Sequence, residues 1–277
     1  MYTLNCKHDL LRLNRPVVMG IINITPDSFY KGYLQQTPDD ILAVVADMIA
    51  DGAVIIDIGG QSTRPGSAVV GASEELDRIL PQIEKINHHF PDVILSIDTY
   101  YSTVAKAAVE AGVHIVNDIG AGNLDGDMLE TVAALQVPYI CMHMQGTPQT
   151  MQQNPIYEDV TGTVLDFFIQ KTEACKLAGI HDVVIDPGFG FGKTTVHNFS
   201  LLKNLGVLQM LDKPVMAGLS RKGMIYKTLG TDASRALNGT TVLHTLALQN
   251  GANILRVHDV KEAREAIELY EYYKAAD

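Results

Sequence analysis

The sequence predicts one (β/α)8 barrel spanning residues 1–277, with its functional groups at the C-terminal ends of the strands. Three observations carry this. Eight short apolar runs recur along the chain, at 16–22, 53–56, 93–97, 113–116, 137–142, 183–185, 214–219 and 252–255. Each run closes on a polar residue: Asn23, Asp57, Asp98, Asn117, His143, Asp186, Ser220 and Arg256 in turn. Amphipathic stretches rich in Ala, Leu, Glu and Lys separate the runs. An open doubly wound sheet has the same local rhythm, but it gathers its polar groups at one switch point rather than at every strand end. Parallel strands closed into a barrel bring all eight polar ends to one rim.

The intervening helices follow in order. Residues 39–50 keep Ile41, Leu42, Val45 and Ile49 at helical spacing, and Thr37-Pro38 reads as a hydroxyl cap followed by a first-turn proline. Residues 74–89 repeat the pattern, with Ser73 as the expected cap. Further helices are expected at 103–111, 128–135, 160–178, 198–211, 234–250 and 261–274. Gly52, Gly112, Gly179 and Gly251 stand where a left-handed turn returns the chain to the next strand. The longest loops, 25–37, 61–72 and 145–159, all follow strands and so lie over the same rim.

Bulk properties narrow the function. Hydrophobic residues make up 47 % of the 277, enough for a large core, and charged residues 19 %, too few for a disordered chain. The net charge of −11 argues against nucleic acid or an anionic membrane as partner. It leaves room for an anionic small molecule, because a local cationic cluster governs within a Debye length of roughly 8 Å. Cys6, Cys141 and Cys175 have no CxxC spacing and read as free thiols, which fits a reducing cytoplasm. The first sixteen residues lack the apolar stretch of a signal peptide, and no run approaches the roughly 20 residues of a membrane span. A soluble, cytoplasmic protein is expected.

Several loops carry chemistry. Asn23 opens NITPDSF, and Asp57 opens DIGGQSTRPGS, which places Arg64 in a Gly/Ser/Thr loop able to grip an anion, or else in an ordinary solvated turn. Asp98, Asn117 and Asp186 end buried strands, where a carboxylate needs a partner. Two carboxylates and a carboxamide around one cavity suit a heterocycle with N–H, amino and carbonyl edges; they equally suit a metal. DPGFGFGKT resembles a phosphate loop but fails the test, because Pro187 stands where the first glycine is needed. Lys193 likewise breaks a dinucleotide fingerprint. The loop reads as a flexible one presenting Phe189 and Phe191, for stacking on an aromatic ligand or as an apolar lid. Ser220-Arg221-Lys222 and Arg256-Val257-His258 follow the seventh and eighth strands, where barrels often bind anions. Arg221 alternates away from its neighbours and reads as structural, as does His143 between Met142 and Met144.

NITPDSF, DIGGQSTRPGS, SIDT, NDI, MHMQGTP, DPGFGFGKT, GLSRKGMI and RVHDV together, in this order, resemble the dihydropteroate synthase family of pterin-binding enzymes. The likeness runs from about Asn14 to the C-terminal helix. It implies a transferase of folate biosynthesis and a sulfonamide target, usually a homodimer. The reaction joins 6-hydroxymethyl-7,8-dihydropterin diphosphate to 4-aminobenzoate with Mg2+ and releases diphosphate. The implied catalytic residues are Asp27, Asp98, Asp186 and Lys222. Asp98, Asn117, Asp186 and Lys222 would hold the pterin edge, with Met142 and Ile119 against its faces. Arg64, Arg256 and His258 would take the diphosphate, and Asn23 the Mg2+. Phe29, Thr63, Pro65, Phe191 and Ser220 would frame the aminobenzoate, and Asp57 would support the site beside Arg64 or Arg256. The chain departs from the family after Phe29, where Tyr30-Lys31-Gly32-Tyr33 replaces Ser-Asp-Gly-Gly. Other readings of the same residues are a pterin-dependent methyltransferase, a Schiff-base aldolase using Lys222, and a pterin-binding paralogue without turnover. The seventh and eighth helices, 234–250 and 261–274, with the Ala- and Thr-rich segment 238–247, are the expected dimer face.

Overall fold

Each of the eight apolar runs becomes a parallel strand in the computed structural model, which describes residues 1–7, 9–24, 38–61, 70–151 and 153–276. A hairpin comes first, β1 (Tyr2–Cys6) and β2 (Asp9–Leu13). The barrel strands are β3 (Val17–Asn23), β4 (Ala53–Gly59), β5 (Ile94–Asp98), β6 (Ile115–Asp118), β7 (Tyr139–Met142), β8 (Val183–Asp186), β9 (Met216–Ala217) and β10 (Ile254–Val257). Their order in the sheet is β8-β7-β6-β5-β4-β3-β10-β9, and a parallel bridge from Ile185 to Val215 joins the two ends. The helices are α1 (Pro38–Ala50), α2 (Ala72–His89), α3 (Ser102–Glu110), α4 (Met128–Leu135), α5 (Val160–Ala178), α6 (Thr195–Lys203), α7 (Gly223–Thr228), α8 (Leu237–Gln249) and α9 (Val260–Ala275).

Alternation along the strands sorts the barrel into two cores. Ile56, Ile58, Leu95, Ile97, Val116, Tyr139, Cys141, Val183 and Ile185 pack outward against the helices. Met19, Ile55, Ile94, Ile115, Ile140, Val184, Met216 and Ile254 point inward at the N-terminal end. The hairpin closes that end, adding Leu4, Cys6, Leu11 and Leu13 to the inner cluster. Further up, the inward positions become polar: Asp57, Ser96, Asn117, Asp186 and Arg256 one pleat above the floor, and Asp98 one pleat above Ser96. The floor is therefore apolar and the rim polar, as in barrels whose chemistry sits at the C-terminal face. Buried strands with both faces covered need such continuous hydrophobicity.

Sequence and structure differ at several elements. The hairpin was not expected, because its burial pattern alternates over only five residues per strand. α7 was missed for the same reason of length, six residues. The stretch 198–211 divides into α6 and a 3-10 helix at Leu205–Leu211, and 234–250 into a 3-10 turn at Ala233–Arg235 followed by α8. Ser73 is not a cap: α2 begins earlier, after Gly71, with no side-chain cap bond. Thr37 lies outside the described residues. The four return glycines do adopt positive φ, between 95° at Gly179 and 114° at Gly112. All three cysteines are buried and free. Among the described residues no helix is long and apolar enough to cross a membrane.

The hairpin's role as a floor has a measurable consequence. Leu4→Ala and Leu11→Ala each remove a buried side chain, and each is expected to lower stability by about 2–4 kcal/mol in urea unfolding while leaving the rim's chemistry intact. A loss below about 0.5 kcal/mol would show that the hairpin merely lies on the surface.

Candidate active site

The polar rim is organised around one half-buried arginine. Arg256, on β10, donates through Nε to Asp57 Oδ2 at 2.6 Å and through Nη2 to Asp98 Oδ2 at 2.5 Å. Asn117 on β6 donates through Nδ2 to the same Asp57 oxygen at 3.1 Å. The carboxylate can only accept, so the Asn117 amide nitrogen must face it and Oδ1 is left for another donor. Asp57 Oδ1, fully buried, has no partner among the described residues. Four strands, β4, β5, β6 and β10, are thus tied across the barrel by one charge cluster.

Asp186 ends β8 and accepts from Gly188 N at 2.8 Å. Lys222, beyond β9, donates to Phe189 O and lies 4.8 Å over the Phe191 ring. Burial lowers the Lys222 pKa to about 8, against the pull of Asp186 in the other direction. Burial raises Asp98 and Asp186, although Arg256 opposes the shift at Asp98 and Lys222 opposes it at Asp186. Arg256 is held firmly cationic, because Asp57 and Asp98 outweigh the penalty of its burial. Among the described residues Asp57, Asp98 and Asp186 supply carboxyl oxygens inside the rim, which suit a ligand that is rich in N–H groups or develops positive charge.

The structure brings most of the expected residues together. Asn23 ends β3, beside Gly59 and in register with it; Met142 and Ile119 are buried on the same rim. Ser220 Oγ accepts from His258 N at 3.2 Å and sits 3.1 Å from His258 Nδ1, so the loops after β9 and β10 meet there. Asp57 pairs with Arg256, one of the two partners foreseen. Asp27, Phe29, Thr63, Arg64 and Pro65 lie outside the described residues. Phe189 and Phe191 separate: Phe189 is buried in the outer core, and Phe191 is half-buried against Lys222. The loop that carries them is not the free flap expected from its glycines, as Lys193 anchors it from within. Arg221 is structural as expected, bidentate to Asp259 at 2.8 Å on both arms and bonded to the carbonyls of Ala233 and Ser234. His143 is buried and neutral, its pKa driven down to about 3 by burial and by Lys193.

Sequence reasoning missed Glu75 and Lys193. Glu75 in α2 is fully buried behind Gly60, and burial raises its pKa to about 7 against the opposing pull of Thr99 and Arg78. Its neighbour Arg78 instead donates to Gly60 O. Gln61 Oε1 accepts from Val70 N at 3.1 Å and from Tyr100 OH at 2.9 Å, joining the two ends of the second rim loop. A lone glutamate on a helix gives no sequence signal of such burial; its flanking Glu74 is exposed.

Mg2+ with one protein ligand leaves a modest footprint. Among the described residues no group of three acidic, His or Cys side chains could hold a metal. Asn23 offers one neutral oxygen at the rim, which suits an ion that brings its remaining ligands from phosphate and water.

Comparison with known proteins agrees with this geometry. The family model "Pterin binding enzyme" matches residues 19–258. The dihydropteroate synthase of Escherichia coli (strain K12) is 43 % identical over 263 residues, which is 94 % of this chain and 93 % of that one. A Yersinia pestis dihydropteroate synthase crystallised in a sulfonamide drug complex superposes with a TM-score of 0.95 at 41 % identity, covering 99 % of this chain and all of that one. The Xanthomonas albilineans enzyme with 4-aminobenzoic acid gives 0.92 at 40 % identity, covering 99 % of each chain. The same enzyme in complex with 7,8-dihydropteroate gives 0.89 at 38 % identity, covering both chains fully. An interior acceptor set on a barrel rim, a lysine beside it and a match over nearly the whole chain converge: this chain is a transferase belonging to the dihydropteroate synthase family of pterin-binding enzymes.

Proposed function

We propose that the chain condenses 6-hydroxymethyl-7,8-dihydropterin diphosphate with 4-aminobenzoate, giving 7,8-dihydropteroate and diphosphate. The observation that supports it best is the inward set Asp98, Asn117 and Asp186 with Lys222 alongside. These are acceptors for the amino and N–H edge of a pterin and a donor for its ring nitrogen and carbonyl side. Met142 and Ile119 supply apolar surface for the ring faces. His258 and Arg256, with Arg64 from the second rim loop, take the diphosphate. Ser220 and Phe191, with Phe29, Thr63 and Pro65, frame the aminobenzoate. The Ser220–His258 contact makes the two ends of the substrate path adjoin.

The reaction is a dissociative substitution. The bond from the pterin methylene to the diphosphate oxygen breaks, and the diphosphate leaves with the electron pair. Positive charge then spreads from the methylene into the pterin, where Asp98 and Asp186 stabilise it. The aminobenzoate nitrogen donates its pair to the methylene and releases a proton. Asp27 is the further catalytic residue in this reading. No protein nucleophile is required. When bound, Mg2+ supplies positive charge to the diphosphate, and Asn23 is the residue of this chain that would hold it. A cytoplasmic setting and sensitivity to sulfonamides belong to the same reading.

The chain is proposed to work as a homodimer. Val242 and Leu246 on α8 and Leu269, Tyr272 and Tyr273 on the adjacent α9 are exposed, an apolar face of the kind that marks an interface. Sedimentation should give twice the chain mass, and Leu246→Glu with Leu269→Glu should give the single mass; a wild-type monomer at micromolar concentration would refute the assignment.

The decisive assay combines purified protein, the pterin diphosphate, Mg2+ and 4-aminobenzoate, with dihydropteroate and diphosphate measured together in equal amounts. Lys222→Ala and Asp186→Asn should each reduce turnover by roughly 100-fold or more with the fold retained by circular dichroism. Near-normal rates in either would remove that residue from the site. Borohydride should trap no substrate on Lys222, which separates this reaction from an aldolase.

The alkaline limb of the rate profile should follow Lys222. Asp186, Asp98 and Arg256 face it, and its pKa is lowered to about 8. Its charged form is lost as pH rises through that value, so kcat/KM for the pterin substrate should fall above about pH 8. Lys222→Arg should shift this limb upward; an unshifted limb would assign it to another group.

A further inference from the structure

The motif 186–194, which fails as a phosphate loop, contains a lysine that no reading above uses. Lys193 is 3 % exposed. Its Nζ faces four acceptors: His143 Nδ1 at 2.8 Å, Gly188 O at 3.0 Å, Phe191 O at 3.1 Å and His143 O at 3.3 Å. Burial pushes the Lys193 pKa down to about 7; in the ammonium form its three protons meet four acceptors, so the cage is fully used and one proton is shared. His143 fits the cage because its imidazole is neutral and presents a lone pair at Nδ1. The backbone presses equally close. A Cβ at Gly188 (φ 65°) would stand 2.0 Å from His143 O, and one at Gly192 (φ 62°) 2.5 Å from Gln145 O. Only glycine permits either approach.

The same segment orients two site residues through its main chain. Gly188 N donates to Asp186 Oδ1 at 2.8 Å, and Phe189 O accepts from Lys222 Nζ. The outer side is fixed separately, by Tyr157 OH on Gly192 O at 2.9 Å and by Asn198 Oδ1 on Gly190 N at 2.7 Å. Lys193 therefore holds Gly188 and Phe191 from beneath while Lys222 engages Phe189 between them.

We propose that Lys193 is a positioning residue for the pterin end of the site: it staples the segment 187–193 to the exit of β7 and so fixes the backbone groups that orient Asp186 and Lys222. The proposal rests on the pterin reading given above for those two residues. Lys193 touches no substrate space of its own, so its effect must pass through the segment.

Lys193→Met keeps the aliphatic stem and removes every donor. Hydrogen exchange of amides 188–192 should rise about tenfold or more while exchange in the strands is unchanged. Binding of 6-hydroxymethylpterin, followed by its own fluorescence, should weaken about tenfold, with KM for 4-aminobenzoate within about twofold of wild type. His143→Phe keeps the ring packing on Phe167, removes one acceptor, and should move both readouts in the same direction by less. It serves as the test if Lys193→Met does not fold. Unchanged exchange in the segment overturns the proposal, whatever the activity. So does a variant whose activity drops only in proportion to its folded fraction. Wild-type protein that binds pterin but forms no dihydropteroate would overturn the assigned reaction and leave the exchange result to decide the staple.

Discussion

A guanidinium held between two carboxylates sets the terms for the rest of this barrel. Asp57 and Asp98 project into a space floored by isoleucine, valine and methionine, where an unpaired carboxylate would be strongly disfavoured. Arg256 makes their charge tolerable, and Asn117, two strands along, adds a second donor to Asp57 Oδ2. Four strands must be in correct register for these bonds to form together. The cluster is thus both an electrostatic device and a test of closure, and removing Arg256 would strand two charges at the centre of the fold. Its carboxyl oxygens leave the interior suited to a heterocycle rich in N–H groups or one that develops positive charge.

Around this cluster the loops divide into those held by charge and those held by backbone contact. The Arg221–Asp259 pair clamps the loop after β9 to the start of α9, and Arg221's other arm reaches the carbonyls near residue 234. Ser220 and Lys222, immediately beside it, inherit their positions. The 187–193 segment is held differently, with glycines pressed onto 143–145 and a lysine turned inward on its own carbonyls. Two lysines whose charges both act on Asp186 thereby acquire different tasks: Lys222 stands over Phe191 at the rim, and Lys193 turns onto the carbonyls of its own loop.

The barrel was legible because its evidence is repetitive. Eight apolar runs, polar closures and return glycines such as Gly112 and Gly251 all report one periodicity, and α4 and α5 fall on their expected bounds. The rim acceptors were legible for a related reason: Asp98, Asn117 and Asp186 interrupt apolar runs where charge is costly. The hairpin and α7 were not, since five or six residues carry too few periods to register. Lys193 was hidden because a lysine in a glycine-rich loop looks the same whether it reaches for a phosphate or for the loop's own carbonyls. Glu75 was hidden because helical spacing alone does not distinguish it from exposed Glu74. The reaction came from resemblance in ordered motifs, since acceptors around a cavity suit more than one heterocycle or a metal.

The hairpin beneath the barrel has a bearing on traffic. With Leu4, Cys6, Leu11 and Leu13 packed onto Ile115, Ile140 and Ile254, the described residues close the barrel at its N-terminal end. Asp98 and Asp186 are therefore reached from the C-terminal rim and not from below.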